Sequence, residues 1–356
     1  MLQSRSKHSP KNIAFIGSVG IPNLYGGFEA FLEHTTPYIL KGADAVMVTC
    51  AKNMYPEGAT LYNGVERVFI DCPANGAASI LHDLLAFFAV FGRATHIIVL
   101  GVSGGMWFPL FRLLCSLTGK RLYVNVDGVE WKRGKFSGGK RLFLRALDYL
   151  AQRFAHKVVI DSDALIPLYP AKTLCIAYPG DHVMRVVTPM LPRTALTVCR
   201  IEPENNIAML IEGVLASAHH TYTIIGNWQR SPYGIALCEK YGQHPRLNLL
   251  DPIYEPLELA RYREACSSYV HGHSVGGTNP SLVEMLFYDC QIYCLDVCYH
   301  HSTAGRHAQF FDSAQALAAL LDAEHGTAPP RLDIRAKYSR AGISSAYLAM
   351  CSGEAA

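Results

Sequence analysis

Asn12-Ile13-Ala14-Phe15-Ile16-Gly17-Ser18-Val19-Gly20-Ile21-Pro22-Asn23-Leu24-Tyr25-Gly26-Gly27-Phe28-Glu29 passes from a short apolar run, through a glycine-rich loop, into a helical pattern that continues to about Leu40. A run of this length followed by a loop and a helix is the first unit of an α/β fold. The same alternation recurs. Ala45–Thr49, Val68–Ile70, His96–Leu100, Leu122–Val126 and Lys157–Ile160 read as strands, with helices around 79–92, 106–118 and 138–155 between most of them. The expected result is a mostly parallel sheet.

Past Tyr178-Pro179-Gly180 and the segment Thr188-Pro189-Met190-Leu191-Pro192, the alternation restarts. Ala195–Cys199, Tyr222–Ile225 and Leu247–Leu250 read as strands, and 205–217 and 231–241 as helices. That restart predicts a second domain. Two doubly wound sheets place ligands at the carboxyl ends of their strands, and facing domains of this kind enclose a cleft.

Composition fits a globular chain. Of 356 residues half are hydrophobic, enough for one large or two medium cores. The 11 cysteines lack a disulfide framework's spacing, and neither a secretory signal nor a long uncharged apolar segment stands out, so a reducing cytoplasmic compartment is expected. The most apolar region, Ile80–Val102, contains His82, Asp83, Arg93 and His96 and reads as a helix followed by a buried strand. Charge is uneven. Residues 1–170 hold 18 Lys/Arg against 12 Asp/Glu, and 171–356 hold 14 against 17. Within the basic half, Lys132, Arg133, Lys135, Lys140, Arg141 and Arg145 follow one another without an acid, interleaved with Trp131, Phe136, Leu142 and Phe143. Such a run suits an anionic lipid surface or a lipid diphosphate, or is simply a solvated helix face. The modest net charge of +3 and the lack of a recognition motif argue against nucleic acid.

Two glycine-rich loops stand where ligands are expected. In the first, Gly26 and Gly27 let the backbone approach a phosphate or an acceptor closely, and Glu29 either faces that acceptor or satisfies the first helical turn. The Gly-x-Gly-x-x-Gly spacing of a dinucleotide site is absent, which argues against a nicotinamide-dependent oxidoreductase. The second loop is His271-Gly272-His273-Ser274-Val275-Gly276-Gly277-Thr278-Asn279-Pro280-Ser281-Leu282-Val283-Glu284. It reads as a loop feeding a helix N-terminus, a place for a diphosphate, with Glu284 one turn in to accept hydrogen bonds from a sugar hydroxyl pair. A nucleotide sugar satisfies both halves. His271 and His273 read equally as pocket or structural histidines. Cys290, Cys294 and Cys298 with His300 and His301 lack the paired spacing of a zinc site, and Gln291–Leu295 reads as a buried strand; no metal or cofactor is expected.

The chain resembles the retaining glycosyltransferases of family 4, of GT-B type, in a rhamnosyltransferase-like branch that includes bacterial exopolysaccharide and capsule β-1,4-rhamnosyltransferases. The resemblance rests on Gly20-Ile21-Pro22-x-x-Tyr25-Gly26-Gly27-Phe28-Glu29, on Asn125-Val126-Asp127-Gly128-Val129-Glu130-Trp131-Lys132-Arg133-Gly134-Lys135, on Val198–Asn206 and on His271–Glu284. It implies two Rossmann-like domains facing across a cleft. The first is an acceptor domain over 1–187 and the second a donor domain over 188–336, with a C-terminal helix over 337–356 crossing back. It implies Arg200 as the main cation for the donor diphosphate, helped by Gly277, Thr278, Asn279 and Ser281, and Glu284 as the ribose carboxylate. Asn205 stands where many members have a lysine, and Gly276 where they have a sugar-facing glutamate, a gap compatible with a deoxy sugar. Asp127 is implied to orient the acceptor hydroxyl or stabilise the developing sugar cation, with Glu130 as the alternative; an Asp-Gly turn is the plain structural reading. The implied reaction is metal-independent transfer of rhamnose from dTDP-rhamnose to a lipid-diphosphate-linked saccharide, peripherally at the inner face of the cell membrane. Another nucleoside-diphosphate hexose (glucose, galactose or mannose) is the alternative donor, and a non-enzymatic or NAD-binding Rossmann protein the alternative class.

Overall fold

The computed structural model describes residues 10–353 apart from 57, 127–137, 170–171, 325–327 and 329. The chain divides into two compact units, one of residues 1–177 with 340–356 and one of residues 178–339.

The first unit is built from β1 (Asn12–Ile16), α1 (Gly27–Leu40), β2 (Ala45–Ala51), β3 (Leu61–Tyr62), β4 (Val65–Ile70), α2 (Ser79–Phe91), β5 (His96–Leu100), α3 (Phe108–Leu117), β6 (Arg121–Asn125), α4 (Gly138–Phe154), β7 (Lys157–Ile160) and β8 (Thr173–Cys175). Its eight strands lie in the order β3-β4-β2-β1-β5-β6-β7-β8. All pairings are parallel except the β3–β4 hairpin. Parallel pairs need long crossovers, and the helices supply them while covering both faces of the sheet. The central strands are accordingly apolar throughout: Ile13, Ala14, Phe15, Ile16, Ile97, Ile98 and Val99 are all fully buried.

The second unit comprises β9 (Leu191–Val198), α5 (Ile207–Ala216), β10 (Thr221–Ile225), α6 (Pro232–Tyr241), β11 (Leu247–Leu250), α7 (Pro256–Ala265), β12 (Cys266–His271), α8 (Pro280–Met285), β13 (Gln291–Leu295), α9 (Cys298–Ala304), β14 (Gln309–Phe311), α10 (Ala314–Asp322) and α11 (Leu332–Lys337). Its six strands run β11-β10-β9-β12-β13-β14, every pair parallel. The order reverses between β9 and β12, the switch point of a doubly wound sheet. Loops after β9 and β12 therefore diverge at the carboxyl edge. Two Rossmann-like sheets, as expected, account for the described chain.

The last helix, α12 (Arg340–Ser352), belongs to the first unit. Tyr347 is fully buried among Phe15 and Phe31, with ring centroids 5.8 and 5.3 Å away. Its hydroxyl accepts from Asn125 Nδ2 at 2.9 Å, and Ser344 Oγ donates to the Thr35 carbonyl at 3.2 Å. The crossing-back segment is thus a hydrogen-bonded part of that core.

On the helical layer of α2, α3 and α4, the turn at Gly105–Trp107 lies directly under α4, where a Cβ on buried Gly105 would run into the Leu147 carbonyl. Gly105→Ala is expected to destabilise the first unit by about 1–3 kcal/mol, the usual cost of overpacking. Gly92→Ala, whose Cβ would meet open space, is the control. Urea unfolding followed by circular dichroism measures both, and equal midpoints for the two variants would refute the packing argument.

Candidate functional site

In the first unit, β1 ends at Ile16 and the chain turns sharply at Gly17, whose φ of +90° and clearance from the Leu100 carbonyl, only 2.5 Å from where a Cβ would stand, admit glycine alone. The loop then returns to α1 through one carboxylate. Glu29, buried in the first helical turn, accepts from the Val19 backbone N–H at 2.8 Å. Farther out, Glu33 accepts from the Asn23 N–H at 2.8 Å. This contact ties the loop to the helix start, and Glu29 also lines the cleft formed there. Gly17, Ser18, Gly26, Gly27, Glu29 and Asn75 contribute to the wall of a cleft of about 160 Å³. Ser18 Oγ is buried and, among the described residues, without a hydrogen-bond partner. A ligand hydroxyl or phosphate oxygen entering there finds one unused polar group and close backbone.

Asp127, Glu130, Lys132, Arg133 and Lys135 lie outside the described residues. Lys140 and Arg141 are exposed on the first turn of α4.

In the second unit, the loop after β9 brings Arg200 and Asn205 to the carboxyl edge. Arg200 is exposed and only loosely paired, 3.9 Å from Glu204 Oε1. Asn205 is buried. Its Nδ2 donates to the Arg200 carbonyl at 2.7 Å, and its Oδ1 meets His273 Nδ1 at 2.8 Å. Asn206 Nδ2 donates to the Gly272 carbonyl at 2.8 Å, and Ser274 N–H to the Glu204 carbonyl at 2.9 Å. Asn205 and Asn206 therefore stitch the post-β9 loop to the post-β12 loop and set the base of Arg200. His273 is tied into that stitching. His271 is buried against His300, rings 4.8 Å apart, and burial pushes its pKa well down and that of His300 to about 4. Both imidazoles are neutral.

The loop to α8 has Gly276 at φ +113°, an angle that favours glycine. At the helix start, Asn279 Oδ1 accepts from the Ser281 N–H at 3.0 Å and from Ser281 Oγ at 2.7 Å, while the Leu282 and Val283 N–H groups reach the Asn279 carbonyl at 3.1 Å. The first turn of α8 is thus self-capped. Among the described residues it is the Gly276 and Gly277 N–H groups, one step earlier, that make no hydrogen bond. Thr278 is buried, its hydroxyl 3.5 Å from that of Thr303.

Glu284 is held on both oxygens. Oε2 pairs with the Arg263 guanidinium at the end of α7, and Oε1 lies 3.2 Å from His182 Nε2. Burial alone would raise the carboxyl's pKa, but the Arg263 charge and the His182 hydrogen bond outweigh it and hold the group at about 2 against an ordinary 4.5. Glu284 is an anion at every physiological pH. A carboxylate has about four acceptor positions, so hydroxyl binding remains open to it. Sequence reading missed Arg263 and His182, since an arginine in the last turn of a charged helix and a histidine after a Pro-Gly turn look like surface residues. A larger groove of about 510 Å³ beside α7, walled by Leu191, Thr194, Thr223, Asn248, Arg261 and Tyr262 among others, shares no residue with the 271–284 loop.

Cys290, just before β13, and Cys294 within it are buried, and Cys298 is exposed. Among the described residues, no group of three or more His, Cys, Asp or Glu side chains is arranged to hold a metal ion.

Residues 10–178 match a family model described as a domain of unknown function, DUF1972. No curated protein matches the chain. Among solved structures, sucrose-phosphate synthase from Thermosynechococcus elongatus is similar over 96% of this chain and 94% of that one, at 13% identity and a TM-score of 0.70. Anabaena Alr3699/HepE, in complex with UDP and glucose, covers 97% and 95% at 14% identity and a TM-score of 0.62. The catalytic domain of starch synthase IV from Arabidopsis thaliana, bound to ADP and acarbose, covers 97% and 99% at 9% identity and a TM-score of 0.69. At such identities the likeness carries the fold: two Rossmann-like units of the GT-B kind.

The Glu284 pair has a measurable signature. A carboxyl whose pKa is depressed on folding stabilises the protein above its unfolded value and loses that contribution as pH falls through the folded one; here the window runs from about 4.5 down to about 2. At pH 7, Glu284→Gln is expected to lower stability by an amount on the order of 3 kcal/mol. The gap to the wild type should close as pH drops below 4.5. Urea midpoints measured across that range test it; a gap independent of pH would show that the pair contributes no charge linkage.

Proposed function

We propose that this chain is a glycosyltransferase that moves a sugar from a nucleoside diphosphate to an acceptor hydroxyl. The observation that carries the reading is the carboxyl edge of the second sheet. There an exposed arginine, two unpaired backbone N–H groups at Gly276 and Gly277, and a permanently ionised Glu284 sit on two loops tied together by Asn205 and Asn206. Diphosphate needs the first two, because a planar guanidinium and convergent N–H groups match its oxygens. A ribose hydroxyl pair suits the third.

In this reading Arg200 takes up the charge that develops on the departing diphosphate, assisted by the Gly276 and Gly277 N–H groups. Transfer proceeds with retention: the leaving oxygen accepts the acceptor's proton on the face from which it departs. Asp127, or Glu130 beside it, orients the acceptor hydroxyl. The resemblance to family 4 and its rhamnosyltransferase-like branch supports dTDP-rhamnose as donor and a lipid-diphosphate-linked saccharide of an exopolysaccharide or capsule as acceptor. Gly276 belongs to the same resemblance: it stands where family 4 members carry a sugar-facing glutamate, and that carboxylate is lacking here. Neighbouring structures with UDP and glucose, or ADP and acarbose, support nucleotide-sugar chemistry in general.

A panel of dTDP-rhamnose, UDP-glucose, UDP-galactose and GDP-mannose, read by thermal shift and by nucleoside-diphosphate release, tests the proposal. The expected response is strongest for dTDP-rhamnose, and silence with all four would refute sugar transfer. Arg200→Ala, an exposed change that leaves folding intact, is expected to reduce kcat/KM by about 10²-fold or more. Turnover unchanged by that substitution would remove Arg200 from the site.

A further inference from the structure

Strands β9, β10 and β11 put different residue types on the two faces of the second sheet. On one face Tyr222, Ile224 and Leu247 enter the core with residues of α5, α6 and α10. On the other stand Thr194, Leu196, Thr221, Thr223 and Asn248, and between them and helix α7 the groove of about 510 Å³ stays open. The parallel register sets Thr221 beside Thr194, and Thr223 between Leu196 and Asn248, in two rows across the floor. A parallel sheet is ordinarily apolar and covered on both faces. A floor carrying hydroxyls and an amide is suited instead to a polar ligand.

Helix α7 walls the groove with Glu258, Arg261 and Tyr262, at i, i+3 and i+4 on one helical face. That spacing lets a carboxylate and a guanidinium pair, yet among the described residues the side chains of Thr221, Glu258, Arg261 and Tyr262 make no hydrogen bond or ion pair. Asn248 Nδ2 reaches Thr223 Oγ1 only at 3.4 Å. One carboxylate and one guanidinium cancel, so the groove favours a ligand without net charge. Amide, carboxylate and guanidinium are planar groups with paired donors or acceptors, which match two adjacent hydroxyls of a sugar ring. The Tyr262 ring, Leu191 and Leu196 offer apolar surface to the ring's C–H faces. A phosphate ligand would meet Glu258 as a repelling charge, an extended peptide would seek a sheet edge and not a face, and a purely apolar molecule would leave the hydroxyls and charges unpaired.

We infer that the groove between α7 and the β9–β11 face is a non-catalytic binding site for a neutral oligosaccharide. Its volume falls within the range of about 300–1,000 Å³ that small-molecule sites occupy. Thr221 and Cys266 open β10 and β12, and Asn248 is the second residue of β11, so the groove lies toward the amino ends of the strands. Arg200 and the 276–284 segment follow the carboxyl ends of β9 and β12. A saccharide held in the groove is therefore held away from the candidate donor site of the same unit. The inference goes beyond sugar transfer, since it uses no residue of that site and its test needs no sugar nucleotide.

Isothermal titration of the full chain with maltohexaose, cellohexaose, mannohexaose and a rhamnose oligosaccharide, beside the acidic oligogalacturonate, is the direct experiment. At least one neutral member is expected to bind with a Kd of about 1 mM or tighter, and oligogalacturonate more weakly than that member. Tyr262→Ala is expected to weaken binding by about tenfold, the loss that follows removal of an aromatic wall. Glu258→Ala with Arg261→Ala, both exposed and unpaired, should weaken it by a similar factor without moving the Tm, so the test holds even where Tyr262→Ala disturbs the fold. Arg200→Ala should bind the oligosaccharide like the wild type. Silence with every neutral member, tighter binding of oligogalacturonate, or undiminished binding by both groove variants would overturn the inference. So would a loss of binding in Arg200→Ala, which would put the saccharide at the carboxyl edge, or a dimer in sedimentation that Tyr262→Ala dissolves, which would make a second copy the occupant.

Discussion

The ion pair between Arg263 and Glu284 fixes the carboxyl edge of the second sheet. A guanidinium buried to this degree cannot shed its proton, and a buried charge without a partner costs several kcal/mol. The end of α7 therefore requires a carboxylate above it, and α8 supplies one. Tyr288, just past α8, lies under the same arginine at 5.9 Å and donates to the Met184 carbonyl at 2.7 Å; Arg185 donates to the Phe287 carbonyl at 2.7 Å. The segment from His182 to Arg185 is strapped to 284–289 by these bonds. The loop after β12 thus runs between two fixed ends, β12 and α8, and its glycines absorb the remaining geometry.

The first unit uses the same chemistry on a smaller scale. Glu29 turns back to Val19 N–H and closes the loop after β1, as Glu284 closes the second site on Arg263 and His182. In both loops the carboxylate at the helix serves the fold before it serves any ligand. A carboxylate so engaged is preorganised: its position does not have to be purchased from ligand binding, and its remaining acceptor positions are aimed before a ligand arrives.

Sequence made the strand-helix alternation legible because parallel strands buried on both faces are short apolar runs, as in Asn12–Ile16 and His96–Leu100. It hid elements whose character is set by tertiary contact. Strand β12 opens on Cys266-Ser267-Ser268, a polar start that shows no alternation, yet it is central in the sheet and buried along its length. Helix α7 mixes charges around its surface, so nothing distinguished buried Arg263 from exposed Arg261 beside it. The two glycine loops were legible as loops, and their hydrogen bonds were not: the self-capping of α8 by Asn279 moves the unpaired N–H groups from the helix start back to Gly276 and Gly277. Asn205, read as a substituted lysine, proves to be a tie between loops.

Helix α2 shows most clearly what periodicity leaves open. Its buried positions, Ser79, His82, Asp83, Ala86, Phe87 and Val90, repeat at three- and four-residue spacing, and so do the exposed Leu81, Leu85 and Phe88. Either stripe satisfies a helical pattern. The choice is made by neighbours: rotating the helix to expose His82 and Asp83 would break the Phe87–Phe111 stack, strand Ser103 Oγ, which donates to Asp83, and push Leu85 and Phe88 toward a sheet that Ala86 and Val90 approach closely. Ser103 and Gly104 accept an aspartate there because Gly104 has no Cβ to meet it, a Cβ at that position falling 2.7 Å from the Asp83 side chain. The apolar face is therefore the outcome of a polar contact on the opposite side, and the leucines and phenylalanine it leaves outward are fixed in place by the fold itself.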